Sequence, residues 1–123
     1  MASKLVVSFE GDHIHVVSDG DKSYEFVVDM WTQVATLCRE HQCFNVLGLA
    51  TTTTPLEAVD GYDHGRLFRE LEMPSNIRIA WVESNPEAID IASFVELVLV
   101  NRGYNAKVFA TEYEARTWLL GDE

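Results

Sequence analysis

Four consecutive threonines, Thr51 to Thr54, come nearest to a recognisable chemical site in this chain. They follow an apolar run predicted to be a strand, Cys43 to Ala50, and they precede a predicted helix that starts at Pro55. Backbone amides and hydroxyls converge at such a helix start, which is what an anion site requires. We therefore expect a possible anion-binding or phosphoacceptor loop here. A loop with one capping residue, Thr54, is the alternative interpretation.

Two histidines, His13 and His15, alternate on a predicted strand and so point to one face of it. Two imidazoles at that spacing form half of a metal site. Because no cysteine or further histidine pair close in sequence completes the ligand set, we interpret them as a solvated strand face and predict no metal.

A second polar group, Asp60, Asp63 and His64, lies on one predicted helix. Carboxylates beside a histidine can perform acid–base chemistry, but an ordinary polar helix surface is the favoured interpretation. Ser93 lies in the middle of another helix, where serine usually packs rather than reacts. The chain contains no phosphate loop, zinc spacing, nucleophile elbow or dinucleotide fingerprint. The sequence therefore predicts no catalytic residue and no cofactor, and hence a protein that is not an enzyme.

Length and charge limit the classes of partner. The 123 residues correspond to one domain spanning 1–123. The net charge of −11 argues against nucleic acid or an anionic membrane surface, because both need a basic footprint. Cys38 and Cys43 are interpreted as reduced thiols, which indicates a cytoplasmic protein. No signal peptide, transmembrane helix or other membrane insertion is predicted.

The elements that must position these residues follow the order ββαβαβαβα. Lys4 to Glu10 and His13 to Ser18 predict a hairpin. The segment from about Ser23 to His41 has helical periodicity. Ile77 to Phe109 predicts a strand, a helix and a second strand, the crossover unit of a parallel sheet. A helix opened by a capping box at Thr111 ends the chain. The fold class is therefore α/β, with a mixed or mostly parallel sheet and helices packed on it.

The helix of the crossover unit is predicted to start at Asn85-Pro86 and to end at Gly103. Its face with Ala88, Ala92, Val95 and Leu99 suits a sheet. The opposite face carries Phe94, Leu97 and Val100, an apolar patch that monomers seldom expose.

From this patch we predict a homodimer with these three residues at or near the interface. Two alternatives remain. The neighbouring helix, Pro55 to Glu72, or the C-terminal helix around Trp118 covers the patch within the chain. The edge of the hairpin at His13 to Val17 is a second candidate interface.

The predicted helix from Pro55 to Glu72 contains two glycines, Gly61 and Gly65, on the side that carries Phe68. Glycine permits close approach of another helix or of a ligand. We therefore regard Gly61, Gly65 and Phe68 as possible ligand-side residues.

The local sequences resemble the small bacterial SpoIIAA-like proteins, also called STAS/SEC14-domain proteins. The similarity is best from Gly65 to Leu120. Its marks are Leu67 to Leu71, Ile77 to Val82, Asn101-Arg102-Gly103, Val108-Phe109 and Glu114 to Leu119. The resemblance implies a mixed sheet with helices on it and no established catalytic residue.

Three functions follow from these observations. The first is a non-enzymatic regulatory or protein-interaction domain, predicted from the missing catalytic motifs and the surplus apolar surface. The second is a protein that binds a small apolar, lipid-like ligand. The third is a phospho-switch at Thr51 to Thr54, which the resemblance implies because anti-sigma-factor antagonists are phosphorylated at that place. The sequence names no physiological ligand, partner or pathway.

Overall fold

One five-stranded sheet organises the chain, with strands in the order β1-β2-β3-β4-β5. The computed structural model describes residues 3–121. The strands are β1 (Lys4–Phe9), β2 (Ile14–Gly20), β3 (Asn45–Thr52), β4 (Arg78–Glu83) and β5 (Asn105–Phe109). The helices are α1 (Tyr24–His41), α2 (Ala58–Tyr62), α3 (His64–Glu70), α4 (Ile89–Asn101), preceded by a 3₁₀ turn over Pro86–Ala88, and α5 (Glu112–Leu120). This is the predicted α/β class.

The sheet is mixed because only its first pair is antiparallel. β1 and β2 form the predicted hairpin, with Val6 opposite Val17. Gly11, with φ of 93°, lies in the connecting turn, in the left-handed region that glycine adopts at no steric cost. The pairs β2–β3, β3–β4 and β4–β5 are all parallel, and each is joined by a crossover containing one or two helices.

Side chains alternate between the two faces of the sheet, and each face has its own core. One face carries Ile14, Val16, Val46 and Ile79, packed against α1, α3 and α4. The other face carries Leu47, Ala80 and Val82, packed against Ala115 and Leu119 of α5. We call these the α4 side and the α5 side of the sheet.

The predicted caps at Asn85 and Thr111 and the predicted stop at Gly103 are confirmed, although Asn85 caps a 3₁₀ turn and α4 itself starts at Ile89. The hydroxyl of Ser23 accepts from the amide of Phe26 at the start of α1, and the hydroxyl of Thr111 accepts from that of Glu114 at α5. The side chain of Asn85 accepts from the amide of Glu87. Gly103, just after α4, has φ of 93°, as predicted for a helix stop.

The predicted helix from Pro55 to Glu72 is wrong. The chain continues as β3 to Thr52 and then bends at Thr53 and Thr54, where Thr53 N donates to Gly20 O and Lys22 N donates to Thr54 O, both at 2.9 Å. Strand β3 therefore extends beyond its predicted end at Ala50. The helix starts only at Ala58 and is then divided into α2 and α3, whose boundary falls at Asp63. Thr54 therefore does not cap this helix, whose N-cap position is Glu57.

Candidate functional site: a cavity beneath helix α4

A cavity of about 80 Å³ lies between α4 and the sheet, towards the ends of β3 and β4. Its wall is mostly apolar. Helix α4 contributes Ile91, Ala92, Val95 and Leu99, the 3₁₀ turn before it contributes Ala88, and the sheet contributes Ile79, Trp81, Ala106 and Val108. Helix α1 closes a further side with Val27, Met30 and Trp31. The cavity therefore lies inside the α4-side core.

Two indole rings, those of Trp31 and Trp81, form one part of the wall of this cavity. The rings of Trp31 and Trp81 are 5.8 Å apart and tilted. Trp81 lies directly over Gly48, where an added Cβ would stand 2.1 Å from the indole. Glycine at 48 thus lets a large, rigid ring lie flat on the sheet. Both indoles therefore form part of the cavity wall beneath α4.

The polar end of the cavity is a hydrogen-bonded cluster at the ends of β3 and β4. Glu83 is 6% exposed and Thr52 is 4% exposed. The carboxylate of Glu83 accepts from the Thr52 hydroxyl at 2.5 Å, from the Thr52 amide at 3.0 Å and from the Asn85 amide at 3.0 Å. The side-chain amide of Asn85 donates to Thr52 O at 2.6 Å. Three of these four bonds tie Thr52 of β3 to Glu83 or to the turn that follows β4, so the cluster fixes this edge of the cavity.

Lys22, which follows β2, adds a positive charge to the cluster. Its ammonium donates to the Thr52 hydroxyl at 3.0 Å and lies 5.3 Å from the centre of the Phe26 ring. Burial lowers the pKa of Lys22, and the charges of Glu83 and Asp19 oppose that shift. Lys22 lines the cavity together with Thr52 and Glu83.

His64 forms a separate polar point in the cavity wall. It is 3% exposed, and its Nδ1 lies 2.9 Å from the carbonyl oxygen of Asp60. Burial lowers the pKa of His64, against the opposing effect of the Asp60 and Gly61 carbonyls and of the Asp60 and Asp63 carboxylates. The imidazole is therefore held in its neutral form more strongly than in water.

An open surface groove adjoins the cavity. Pro55, Leu56 and Ile91 line both spaces, and the groove continues over Ala58, Glu87, Asp90 and Phe94. These three shared residues lie where the cavity and the groove meet.

The threonine run is divided between strand and loop. Thr51 and Thr52 end β3, and Thr53 and Thr54 follow in a bend. Thr51, Thr53 and Thr54 are exposed, whereas Thr52 is buried. Because the carboxylate of Glu83 already holds the amide and hydroxyl of Thr52, an acidic group occupies the position where an anion would bind.

The glycines singled out in the sequence serve helix packing. A Cβ on Gly61 would stand 3.0 Å from Ile91 and 3.1 Å from Phe94, and one on Gly65 would stand 2.8 Å from the Arg102 guanidinium. Phe68 is fully buried, edge-to-face with Trp31 and with Tyr104. None of Gly61, Gly65 and Phe68 lines the cavity, although His64, on the same helical face as Phe68, does.

The outer face of α4 is only partly covered. Leu97 is 55% exposed and Val100 is 47% exposed, whereas Phe94 is half-buried against Gly61. The neighbouring helix therefore covers Phe94 and leaves the other two open. The homodimer through this face stays a prediction.

His13 is not part of a solvated strand face, contrary to the sequence interpretation. It precedes β2 and is 3% exposed. Its Nδ1 lies 2.7 Å from Asp12 Oδ1, and its Nε2 lies 3.0 Å from His15 Nδ1. Across residues 3–121, no group of three or more His, Cys, Asp or Glu side chains is placed to hold a metal ion.

The remaining polar candidates do not converge. Asp63 pairs with Arg66 at 3.5 Å, Ser93 is exposed, and only His64 of the predicted acid–base group lines the cavity. Cys38 and Cys43 are free thiols, and burial raises the pKa of Cys38 to about 11. No helix within residues 3–121 is long and apolar enough to cross a lipid bilayer.

Sequence reasoning missed Lys22, Glu83 and the two indoles of Trp31 and Trp81. The available signal was the polar residue at the end of each apolar strand, because the carboxyl ends of parallel strands meet at one edge of the sheet. Thr52 and Glu83 occupy these two ends.

Comparison with known proteins agrees with the architecture. No protein-family profile matches the chain, and no curated protein matches it. Its structure is similar to that of an uncharacterized protein of the DUF3478 family with a SpoIIAA-like fold, from Shewanella loihica PV-4. The match has a TM-score of 0.57 at 14% sequence identity and covers 95% of this chain and 93% of that one. The chain therefore has a SpoIIAA-like fold.

Proposed function

We propose that the protein is a non-enzymatic domain that binds a small, largely apolar molecule in the cavity beneath α4. The observation that carries this proposal is an apolar cavity inside the core with a few convergent polar groups, the usual anatomy of a small-molecule site. Both indoles and the apolar side chains of Ile91, Ala92, Val95 and Leu99 on α4 would surround the ligand.

The volume sets the size of the ligand. About 80 Å³ is roughly half of the about 150 Å³ that accommodates benzene in an engineered apolar cavity. The cavity thus suits a molecule of a few carbon atoms, or the small end of a longer molecule whose remainder lies in the groove. A whole lipid chain does not fit within the cavity, so the proposed apolar ligand is shorter than a lipid chain.

A regulatory role is the second part of the proposal. Helix α4 would touch the ligand with its inner face while its outer face presents Leu97 and Val100 to solvent. A ligand that shifts α4 therefore changes an exposed apolar surface that a second protein, or a second copy of the chain, can bind. Free thiols at Cys38 and Cys43 support a cytoplasmic setting for this role.

A phospho-switch at Thr51 to Thr54 is the weaker alternative. Three of the threonines are exposed and therefore reachable by a kinase. The charge of Glu83 next to Thr52 opposes a phosphoryl group at that residue. Replacing all four threonines by alanine without any change in partner binding in the native host would remove this alternative.

Native mass spectrometry of freshly purified protein tests the main proposal. We expect a bound mass of a small organic compound that is lost on unfolding. The variant Ala92→Leu, which places three extra carbon atoms in the cavity, should purify without that mass. The matched variant Ala110→Leu, at an exposed position outside the cavity, should retain it.

Two results would contradict the proposal. One is a wild type that carries no ligand and whose melting temperature is unchanged by a panel of short-chain alcohols and alkyl chlorides. The other is turnover in a hydrolase and phosphatase screen that is lost on replacing His64 or Asp60, which would make the protein an enzyme.

A further inference from the structure

His64 leaves an unused hydrogen-bond acceptor at the cavity wall. Its Nδ1 lies 2.9 Å from the carbonyl oxygen of Asp60. A carbonyl oxygen only accepts, so Nδ1 carries the hydrogen of this bond. In the neutral ring Nε2 then holds a lone pair, and it makes no hydrogen bond to any residue between 3 and 121. Because Nδ1 is turned to the α2 backbone, the opposite edge of the ring faces the cavity that His64 lines.

Most other polar groups of the cavity are engaged within the protein, and an exception within residues 3–121 is the buried indole N–H of Trp31, a donor without a partner. The Thr52 hydroxyl donates to Glu83 and accepts from Lys22, and both carboxylate oxygens of Glu83 accept protein hydrogens. Glu96 is turned towards β5, where its Oε1 accepts from the Val108 amide at 2.7 Å. Lys22 offers hydrogens and no lone pair.

A bound donor would supply the hydrogen-bond partner that His64 Nε2 lacks within residues 3–121. Resting on the proposed function, we infer that the cavity takes a small apolar molecule carrying one hydroxyl or N–H group, which donates to His64 Nε2. The ligand class is therefore a short-chain alcohol or its N–H counterpart, rather than a hydrocarbon. His64 would select the donor group, and the indoles and α4 would enclose the carbon skeleton.

Two probes with the same carbon skeleton test this inference: 2-methylpropan-1-ol, which has a donor, and 1-chloro-2-methylpropane, which has none. NMR titration of the full chain gives the dissociation constant of each for the wild type and for His64→Phe, which keeps a planar ring and removes both nitrogens. We expect the preference for the alcohol over the chloride to fall about three- to tenfold in the variant, the equivalent of one net hydrogen bond.

Binding of the chloride distinguishes a failure of the proposed His64 role from a failure of the proposed cavity function. If the chloride binds and the alcohol preference is the same in both proteins, the role of His64 is overturned while the cavity function stands. If neither probe binds the wild type, the proposed function and this inference both fail.

A measurement on the wild type keeps the inference testable if His64→Phe does not fold. In protein labelled with ¹⁵N histidine, saturating alcohol should shift the Nε2 resonance of His64 upfield, since its lone pair accepts a hydrogen bond. Saturating chloride should leave that resonance in place. Bound alcohol with an unmoved Nε2 resonance overturns the inference.

Discussion

The two sides of the sheet use the same strands to build cores of different completeness. On the α5 side a single helix packs Ala115 and Leu119 against Leu47, Ala80 and Val82, and all five are buried. On the α4 side three crossover segments share the surface, and a cavity of about 80 Å³ remains among Trp31, Trp81 and α4. One side is thus packed for stability, whereas the other retains space and buried polar groups for a ligand.

The largest effect on the free energy of unfolding is expected at the polar cluster of Thr52, Glu83 and Asn85. Glu83→Gln replaces one accepting oxygen by an NH₂ group that faces hydrogen-bond donors, so about 1.5–3 kcal/mol of unfolding free energy should be lost. The control Glu87→Gln changes an exposed carboxylate next to the same turn and should stay within about 0.5 kcal/mol of the wild type. Urea denaturation measures both. Equal losses in the two variants would show that the cluster does not hold this edge.

One substitution placed on the two helices tests the packing difference itself. Ala115→Leu forces three carbon atoms into a filled core and should cost about 1–3 kcal/mol. Ala92→Leu directs the same atoms into the cavity, so the free energy of unfolding should change by about 0.5 kcal/mol or less. Urea denaturation that finds Ala92→Leu as damaging as Ala115→Leu would mean that no usable space exists beneath α4.

Acid should weaken the protein partly through His64. Burial lowers the pKa of His64 below its ordinary value of 6.5, so the unfolded chain binds protons more readily than the folded one. The contribution of neutral His64 to the free energy of unfolding is therefore complete above its ordinary pKa of 6.5. It is lost as the pH falls towards the lower pKa that His64 has in the folded protein. The loss between about pH 7.5 and about pH 5.5 should be smaller in His64→Phe than in the wild type. The same acid loss in both proteins would contradict the assignment.

The smallest effect on folding, and the largest on assembly, is expected at the outer face of α4. Leu97→Glu changes a 55% exposed side chain, so the unfolding free energy of the monomer should hardly move. Sedimentation at micromolar concentration should find a wild-type dimer and a Leu97→Glu monomer. A monomeric wild type rejects the dimer, and a dimer that survives Leu97→Glu moves the interface to another surface such as the hairpin edge.

Sequence reasoning succeeded where local rules decide the structure. Asn85 caps the 3₁₀ turn before α4, Thr111 caps α5, and Gly103 follows the end of α4, because capping depends on residues within one turn. The strand–helix–strand unit was predictable for the same reason, since its periodicity is continuous.

Sequence reasoning failed where contacts between residues distant in sequence decide the structure. Thr52 is held in β3 by Glu83, 31 positions away, and this contact outweighs the local preference of Thr54-Pro55 to start a helix. The sequence predicts only that Gly48 belongs to an apolar strand. Its role, to leave room for the Trp81 ring that lies over it, depends on a contact with another strand. The cavity depends on the relative placement of three helices, which no periodicity encodes.

Crystals of the wild type pressurised with xenon provide the most direct test of a ligand cavity on the α4 side. Xenon enters dry apolar cavities of this kind without needing a polar partner. The proposed function predicts a xenon atom enclosed by Trp31, Trp81, Val95 and Leu99, absent in Ala92→Leu, and none on the α5 side. A xenon-free cavity in the wild type, or xenon confined to the open groove, would contradict it.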